Sequence, residues 1–266
     1  HLRASTPLAF GHSAKHPVCQ RQVMPARMRT NDLSPATGFV STAAGLARFI
    51  GGLAPEAKHG ILSRASRREM LRRQWQSEHD STGRWYGLGT IAGTLKGMAG
   101  AWDHVGHSGG FPGQITRTAC VPSQGLSVSV LTNAADGFSH SWLDGVLQVL
   151  QTFAKHGAPT QRNTLRNTGW QGRYWNLWGA FDVLPVASRR VLLANPALAN
   201  PMTDASEIEL DGKDRGRIVL AGGFGFHGEP AHLERDAKGR VKALWVGGMR
   251  LALAADVVRS LKKIAV

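Results

Sequence analysis

Polar and apolar positions alternate most regularly between Gln114 and Thr132. "LSVSVLT", Leu126 to Thr132, changes character at almost every step, "QITRTACV", Gln114 to Val121, alternates at its start and ends apolar, and "PSQG" between them brings in Pro122 and Gly125. A period of two sends successive side chains to opposite faces, so this segment predicts two strands joined by a turn. After Ser139 the period changes. In "SHSWLDGVLQVLQTFAK" the residues Trp142, Val146, Val149, Leu150 and Phe153 fall close to one helical stripe. Upstream, Ser41 or Thr42 can cap a short helix carrying Leu46, Phe49 and Ile50 on one side, which Gly51 and Gly52 stop. A second helix is expected from Ser63 to about Gln76, with Ser66 and Glu69 at capping-box spacing. "RWYGLGTIAG", from Arg84, reads as a strand, and the glycine-rich Gly106–Gly113 as a turn. Residues 1–35 carry Pro7, Pro17, Pro25 and Pro35 among polar neighbours and read as irregular connection. The order is helix, helix, three antiparallel strands, helix.

Past residue 155 the pattern shortens. "HGAPTQRNT", 156–164, reads as a linker. Beyond it come strand-length runs such as "GRYWNLWGAFDVLPV", "RRVLLANP", "EIELDG", "RGRIVLAGG" and "GRVKALWVGG", divided by turn pairs including Asp211-Gly212 and Lys238-Gly239. That rhythm predicts an all-β barrel or sandwich over residues 165–266. The fold class is therefore α+β: an antiparallel sheet flanked by helices over residues 1–155, then a small all-β domain.

Composition refines this picture at a few points. Of the 266 residues 42% are apolar, enough to bury a core, and no apolar run approaches the length of a membrane span. The two cysteines, Cys19 and Cys120, offer neither a disulfide framework nor metal-ligand spacing. A net charge of +14 raises the question of nucleic acid, but the basic residues are scattered along the whole chain. Their one dense run, "SRASRREMLRR", puts Arg64, Arg67, Arg68 and Arg72 at helical spacing, as a solvated helix face does; the alternative is a surface for an anionic partner. His12, His16, His104 and His107 lack cysteine or carboxylate partners at ligand spacing, so no metal or other cofactor is expected. "GGFGFHGE", Gly222 to Glu229, lacks the Lys-Ser/Thr of a phosphate loop and reads as a barrel hairpin. Trp170, Trp175 and Trp178 read as core and rim of the barrel.

Chemistry concentrates in Gly106–Gly113. Gly109, Gly110 and Gly113 allow close backbone approach and positive φ. A glycine N–H at a strand end can meet a developing oxyanion, and one such donor is worth about 10²–10³ in rate. His107 can bind a substrate carboxylate or assist proton transfer. What this segment lacks is a nucleophile: no Asp–His pairing or nucleophile-elbow pattern surrounds Ser108.

"GHSGGFPG…VPSQGLSVSVLTN" resembles the third motif and following hairpin of the serine β-lactamase and penicillin-binding-protein-like hydrolases, especially the class C-like and esterase branch. The motif stands here as His107-Ser108-Gly109. "SPATGFVSTAAGLARFIGGLA", "ILSRASRREMLRRQ" and "WYGLGT" are similar to the preceding elements of that family, and "GRYWNLWGAFDVLPV" through "GRVKALWVGG" resembles its appended β-barrel. The resemblance covers about residues 30–153 closely and 165–250 more loosely. It implies the C-terminal part of a β-lactamase-like fold, a small-molecule or peptide substrate and an acyl-enzyme mechanism; for the setting it points to the periplasm or the cell exterior, with the cytoplasm as the alternative. His107 and the Gly110 amide would be the catalytic contributions, and Ser108 and Gly109 would line the substrate. The family's Ser-x-x-Lys and Tyr-x-Asn motifs, which precede the third motif, are not found there. Ser260-Leu261-Lys262-Lys263 and Tyr174-Trp175-Asn176 match the patterns in an order that no permutation of the family produces, and both are read as chance. The missing N-terminal part of the fold is then the expected partner, and this chain alone is expected to be inactive. A non-catalytic binding module for an acidic partner is the alternative.

Overall fold

The computed structural model describes residues 7–25, 27–76, 83–97, 99–156, 169–187, 189–223 and 225–264. The chain divides into two units: His1–Leu95 with Ala101–Asp144, and Lys96–Gly100 with Gly145–Val266. Apart from His156, the expected linker lies outside the described residues.

The first unit opens with two short paired strands, β1 (Gly11–His12) and β2 (Val23–Met24), in otherwise irregular chain. Three helices follow: α1 (Ser34–Thr37), α2 (Ala43–Gly52) and α3 (Arg64–Leu71). Of the two capping candidates for α2, Thr42 holds the position, its hydroxyl accepting from the Gly45 N–H. For α3 the cap is Ser63, which accepts from the Ser66 N–H, so the expected box of Ser66 with Glu69 does not form. Glu69 instead accepts from the Gln74 side chain. α3 also ends at Leu71, short of the expected Gln76, because Arg72 is already extended and the chain enters the sheet.

That sheet has six strands in the order β3 (Trp75–Gln76), β4 (Trp85–Tyr86), β5 (Ile91–Gly97), β6 (Gly100–Phe111), β7 (Gln114–Val121) and β8 (Leu126–Thr132). The predicted hairpin of β7 and β8 forms with its expected bounds, and Gly125 turns it at φ +58°. Gly106–Gly113 is corrected. Its first six residues continue β6, paired with β7 from Val105↔Cys120 to Phe111↔Gln114, and only Pro112 and Gly113 turn. Gly113 has φ +79°, whereas neither Gly109 nor Gly110 has a positive φ. Close packing accounts for two of these glycines: a Cβ on Gly106 would lie 1.9 Å from the Thr118 carbonyl, and one on Gly109 would lie 2.6 Å from the Thr116 hydroxyl. α2 packs on β7 and β8, burying Ile50, Leu53 and Ala54 with Cys120.

α4 (Ser139–His156) is the predicted helix. In the second unit β9 (Gly172–Asn176), β10 (Gly179–Ala187), β11 (Arg190–Ala194), β12 (Ser206–Leu210), β13 (Arg215–Leu220), β14 (Pro230–Arg235), β15 (Val241–Val246) and β16 (Met249–Leu253) close into an antiparallel barrel. Inward positions alternate along each strand and fill the interior with Trp170, Tyr174, Phe181, Val183, Ile208, Ile218, Leu244 and Leu251. Register shifts at Pro185/Ala187, Glu207/Ile208 and Glu234/Arg235 bend the strands as closure requires. The loop 221–229 joins the paired β13 and β14, as read for "GGFGFHGE". Trp170 is fully buried, while Trp175 and Trp178 are exposed at the rim. α5 (Ala254–Ile264) follows β16 and packs on β9 and β16; the sequence reading placed no helix there.

Candidate functional site

Because β6 is a strand where a turn was expected, its side chains alternate. His107, paired with Thr118, and Ser108, paired with Arg117, point to opposite faces of the sheet. The His107 ring therefore lies on one face of the sheet and the Ser108 side chain on the other. The His107 Nδ1 lies 2.5 Å from the Ser108 carbonyl oxygen, and its Nε2 lies 2.7 Å from the Tyr86 hydroxyl. A carbonyl only accepts, so Nδ1 carries the ring hydrogen, and in the neutral ring Nε2 accepts from the Tyr86 O–H. The two rings meet edge to face, with centroids 5.8 Å apart at 88°.

The backbone at Gly110 follows from the turn. With two residues between them, Phe111 and Gln114 form the hydrogen-bonded pair that closes the hairpin. Paired and unpaired positions alternate from there, so Gly110, opposite Ile115, directs its N–H away from β7. The same alternation leaves the Ser108 carbonyl on that side, where His107 takes it. A Cβ at Gly110 would come no closer than 3.8 Å to Ile115. The Gly110 amide is thus a donor on the side of β6 facing away from its hairpin partner.

Beside His107 is a cleft of about 460 Å³ lined by Trp75, Gln76, Arg84, Trp85, Tyr86, Ile91 and His107. Its aromatic wall is a consequence of strand register: Trp75 pairs with Tyr86, and Tyr86 with Ile91. Sequence reasoning did not single out Tyr86 or Trp75. The signal was the pair of aromatic residues in "RWYGLG", whose partner across the sheet is not visible in the linear chain.

On the face opposite His107, Gly106 leaves room between Ser108 and His104, and buried Arg117 brings its Nη2 to 3.2 Å from the His104 Nε2. Burial, reinforced by the Arg117 charge, pushes the His104 imidazole down to about 4, so it stays neutral and accepts. Burial likewise lowers the Arg117 value, opposed by Asp144, and raises that of Asp144.

The two chance motifs also have structural roles. Tyr174 lies in the barrel core, its hydroxyl donating to the carbonyls of Gly169 and Trp170, and burial pushes it up to about 12. Ser260 lies on α5 and donates to the Asp256 carbonyl. The arginines of α3 interact within the unit: Arg64 and Arg68 with Glu56, Arg72 with Glu69, and Arg67, which is buried, with the carbonyls of Ala54 and Ala57. The expected solvated face is corrected at Arg67. Among the described residues no group of three or more His, Cys, Asp or Glu side chains is placed to hold a metal ion, and no helix is long and apolar enough to cross a membrane.

An antiparallel sheet packed by helices, followed by a closed antiparallel barrel, makes this a mixed α and β protein. The Beta-lactamase family model matches residues 4–150, more than half of the chain, and the chain belongs to that family. Among solved structures it is similar to the octameric penicillin-binding protein homologue from Pyrococcus abyssi, with 17% identity, TM-score 0.40, and 93% of this chain and 54% of that one covered. It is also similar to a structure titled SurE, with 20% identity, TM-score 0.44, and coverage of 95% and 57%. The chain spans about half the length of these structures. A search of curated proteins gave no match.

Proposed function

We propose that this chain forms one wall of the acyl-transfer site of a serine hydrolase acting on an ester, an amide or a β-lactam. The Gly110 N–H serves as an oxyanion donor, and His107, oriented by Tyr86, holds the substrate or moves its proton. Ser108 and Gly109 line the substrate through their backbone, and no cofactor takes part. A serine of a Ser-x-x-Lys segment, in polypeptide of the same fold outside these 266 residues, supplies the nucleophile. The observation that carries the reading is the convergence of an oriented imidazole, an outward amide and a cleft on β6 of a β-lactamase-family chain. A histidine in the third motif, where related enzymes carry lysine, is not a permanent cation, which favours esters and amides over ligands that such a cation holds. The alternative of a module for an acidic partner loses Arg67, which is buried against the Ala54 carbonyl, while Arg64, Arg68 and Arg72 stay at the surface in ion pairs with Glu56 and Glu69.

The test is labelling by a fluorophosphonate or penicillin-type probe. An extended polypeptide with an in-frame Ser-x-x-Lys and Tyr-x-Asn upstream is expected to label, and this chain to stay unlabelled. Labelling of Ser260 in this chain would overturn the reading, as would an extended polypeptide that takes up neither probe.

A further inference from the structure

The cleft beside His107 has a wall that the chemistry of acyl transfer does not require. Trp75 and Tyr86 are 58% and 44% exposed, although they face each other across β3 and β4. An isolated exposed aromatic residue is ordinary, but two paired on one face beside a cavity form a contiguous apolar surface that water covers poorly. Ile91 extends that row by pairing with Tyr86, and Trp85 also lines the cleft. At about 460 Å³ the space falls within the range of small-molecule sites. Tyr86 joins the two functions, since its ring belongs to the aromatic wall and its hydroxyl ends on the His107 Nε2, 2.7 Å away. A group seated against Trp75 and Tyr86 therefore lies next to the imidazole.

We infer that this cleft is a specificity subsite for a flat, uncharged aromatic group of the substrate, so that the preferred substrates are aryl-bearing esters or amides rather than short aliphatic ones. The inference rests on the proposed hydrolase reading only for the word substrate. The subsite itself is a property of β3 to β6 and needs no nucleophile. Trp75 supplies a stacking face, and Tyr86 supplies the edge-to-face contact while keeping His107 oriented.

The experiment is an NMR titration of this 266-residue chain, ¹⁵N-labelled, with 2-acetonaphthone, an aryl ketone that cannot be hydrolysed, and with butanone as the aliphatic control. The indole N–H signals of Trp75 and Trp85 are assigned by substitution. The expected result is saturable shifts at both signals with the aryl ketone, at an affinity at least about tenfold above butanone, and a loss of about tenfold in Trp75→Ala. Trp75→Leu, which keeps apolar area without the ring system, recovers only part of that loss. Should Trp75→Ala fail to give a native spectrum, Tyr86→Leu is read in its place with the same expectation. Equal binding of the two ketones, unchanged affinity in the variants, or shifts confined to other tryptophans would overturn the inference. Aryl binding together with an extended polypeptide that no acylating probe labels would leave the subsite standing and remove the hydrolase reading; the converse pair of results would do the opposite.

Discussion

The Tyr86 hydroxyl and the Ser108 carbonyl fix the imidazole of His107 between them, one on each ring nitrogen. The ring is held in the tautomer that leaves Nε2 as an acceptor, toward the cleft. Tyr86→Phe removes the donor and leaves the ring contact. In ¹⁵N spectra of the imidazole we expect the wild type to show Nδ1 protonated and Nε2 free, and the variant to show a mixture of tautomers. Stability should change by no more than about 1 kcal/mol, as for an exposed hydrogen bond. An unchanged tautomer would mean that the Ser108 carbonyl alone orients the ring. Little of this pair was legible in the sequence. His107 stands out because glycines surround it, but Tyr86 lies 21 residues earlier and meets it only through the sheet.

α3 shows how an element can differ from its periodicity. The sequence marks Arg64, Arg67, Arg68 and Arg72 as one basic face, yet Arg67 is buried. Its Nη1 donates to the carbonyls of Ala54 at 2.7 Å and Ala57 at 3.0 Å, and a Cβ on Gly60 would touch the guanidinium. Arg67→Ala strands those carbonyls and should destabilise the first unit by about 2–3 kcal/mol in urea unfolding; a loss below about 0.5 kcal/mol would show the contact to be incidental. The barrel's strand-bearing runs were legible because alternation and turn glycines agree there, although β9 and β10 fell within one run. β6 was not, since Gly106, Gly109 and Gly110 erase the alternation that marks a strand and imitate a turn. Gly106 and Gly109 are small because β7 approaches closely, and that cause is tertiary. α5 was missed for a similar reason, its sequence following β16 with no break in composition.

For the whole molecule, acid should act on the two units over different ranges. Folded His104 takes a proton only near pH 4, whereas the unfolded ring does so near its ordinary 6.5. Between these values the unfolded state binds more protons, so this contribution is complete above about 6.5 and is lost as the pH falls toward 4. Full loss amounts to about 3 kcal/mol. Urea unfolding of the first unit at pH 7.5 and pH 5 should show the decline, and His104→Gln, which keeps an acceptor for Arg117, should flatten it; the same slope in the variant would assign the effect elsewhere. In the barrel Glu234 is held down to about 2 by Arg250 and Trp245, so its contribution is present above the ordinary 4.5 and is lost between there and 2. It is small because the pair is partly exposed.

The central claim is that the Gly110 N–H faces the reacting carbonyl. It is tested most directly by the rate at which a penicillin-type probe acylates the extended polypeptide with and without Gly110→Pro. Proline removes that donor without breaking a hairpin hydrogen bond, because the N–H points away from β7; it also fixes φ at about −65° and restricts Gly109, and the thermal midpoint controls for both. We predict a fall of about 10²–10³ in acylation rate with the thermal midpoint little changed. A variant that acylates at the wild-type rate would contradict the account.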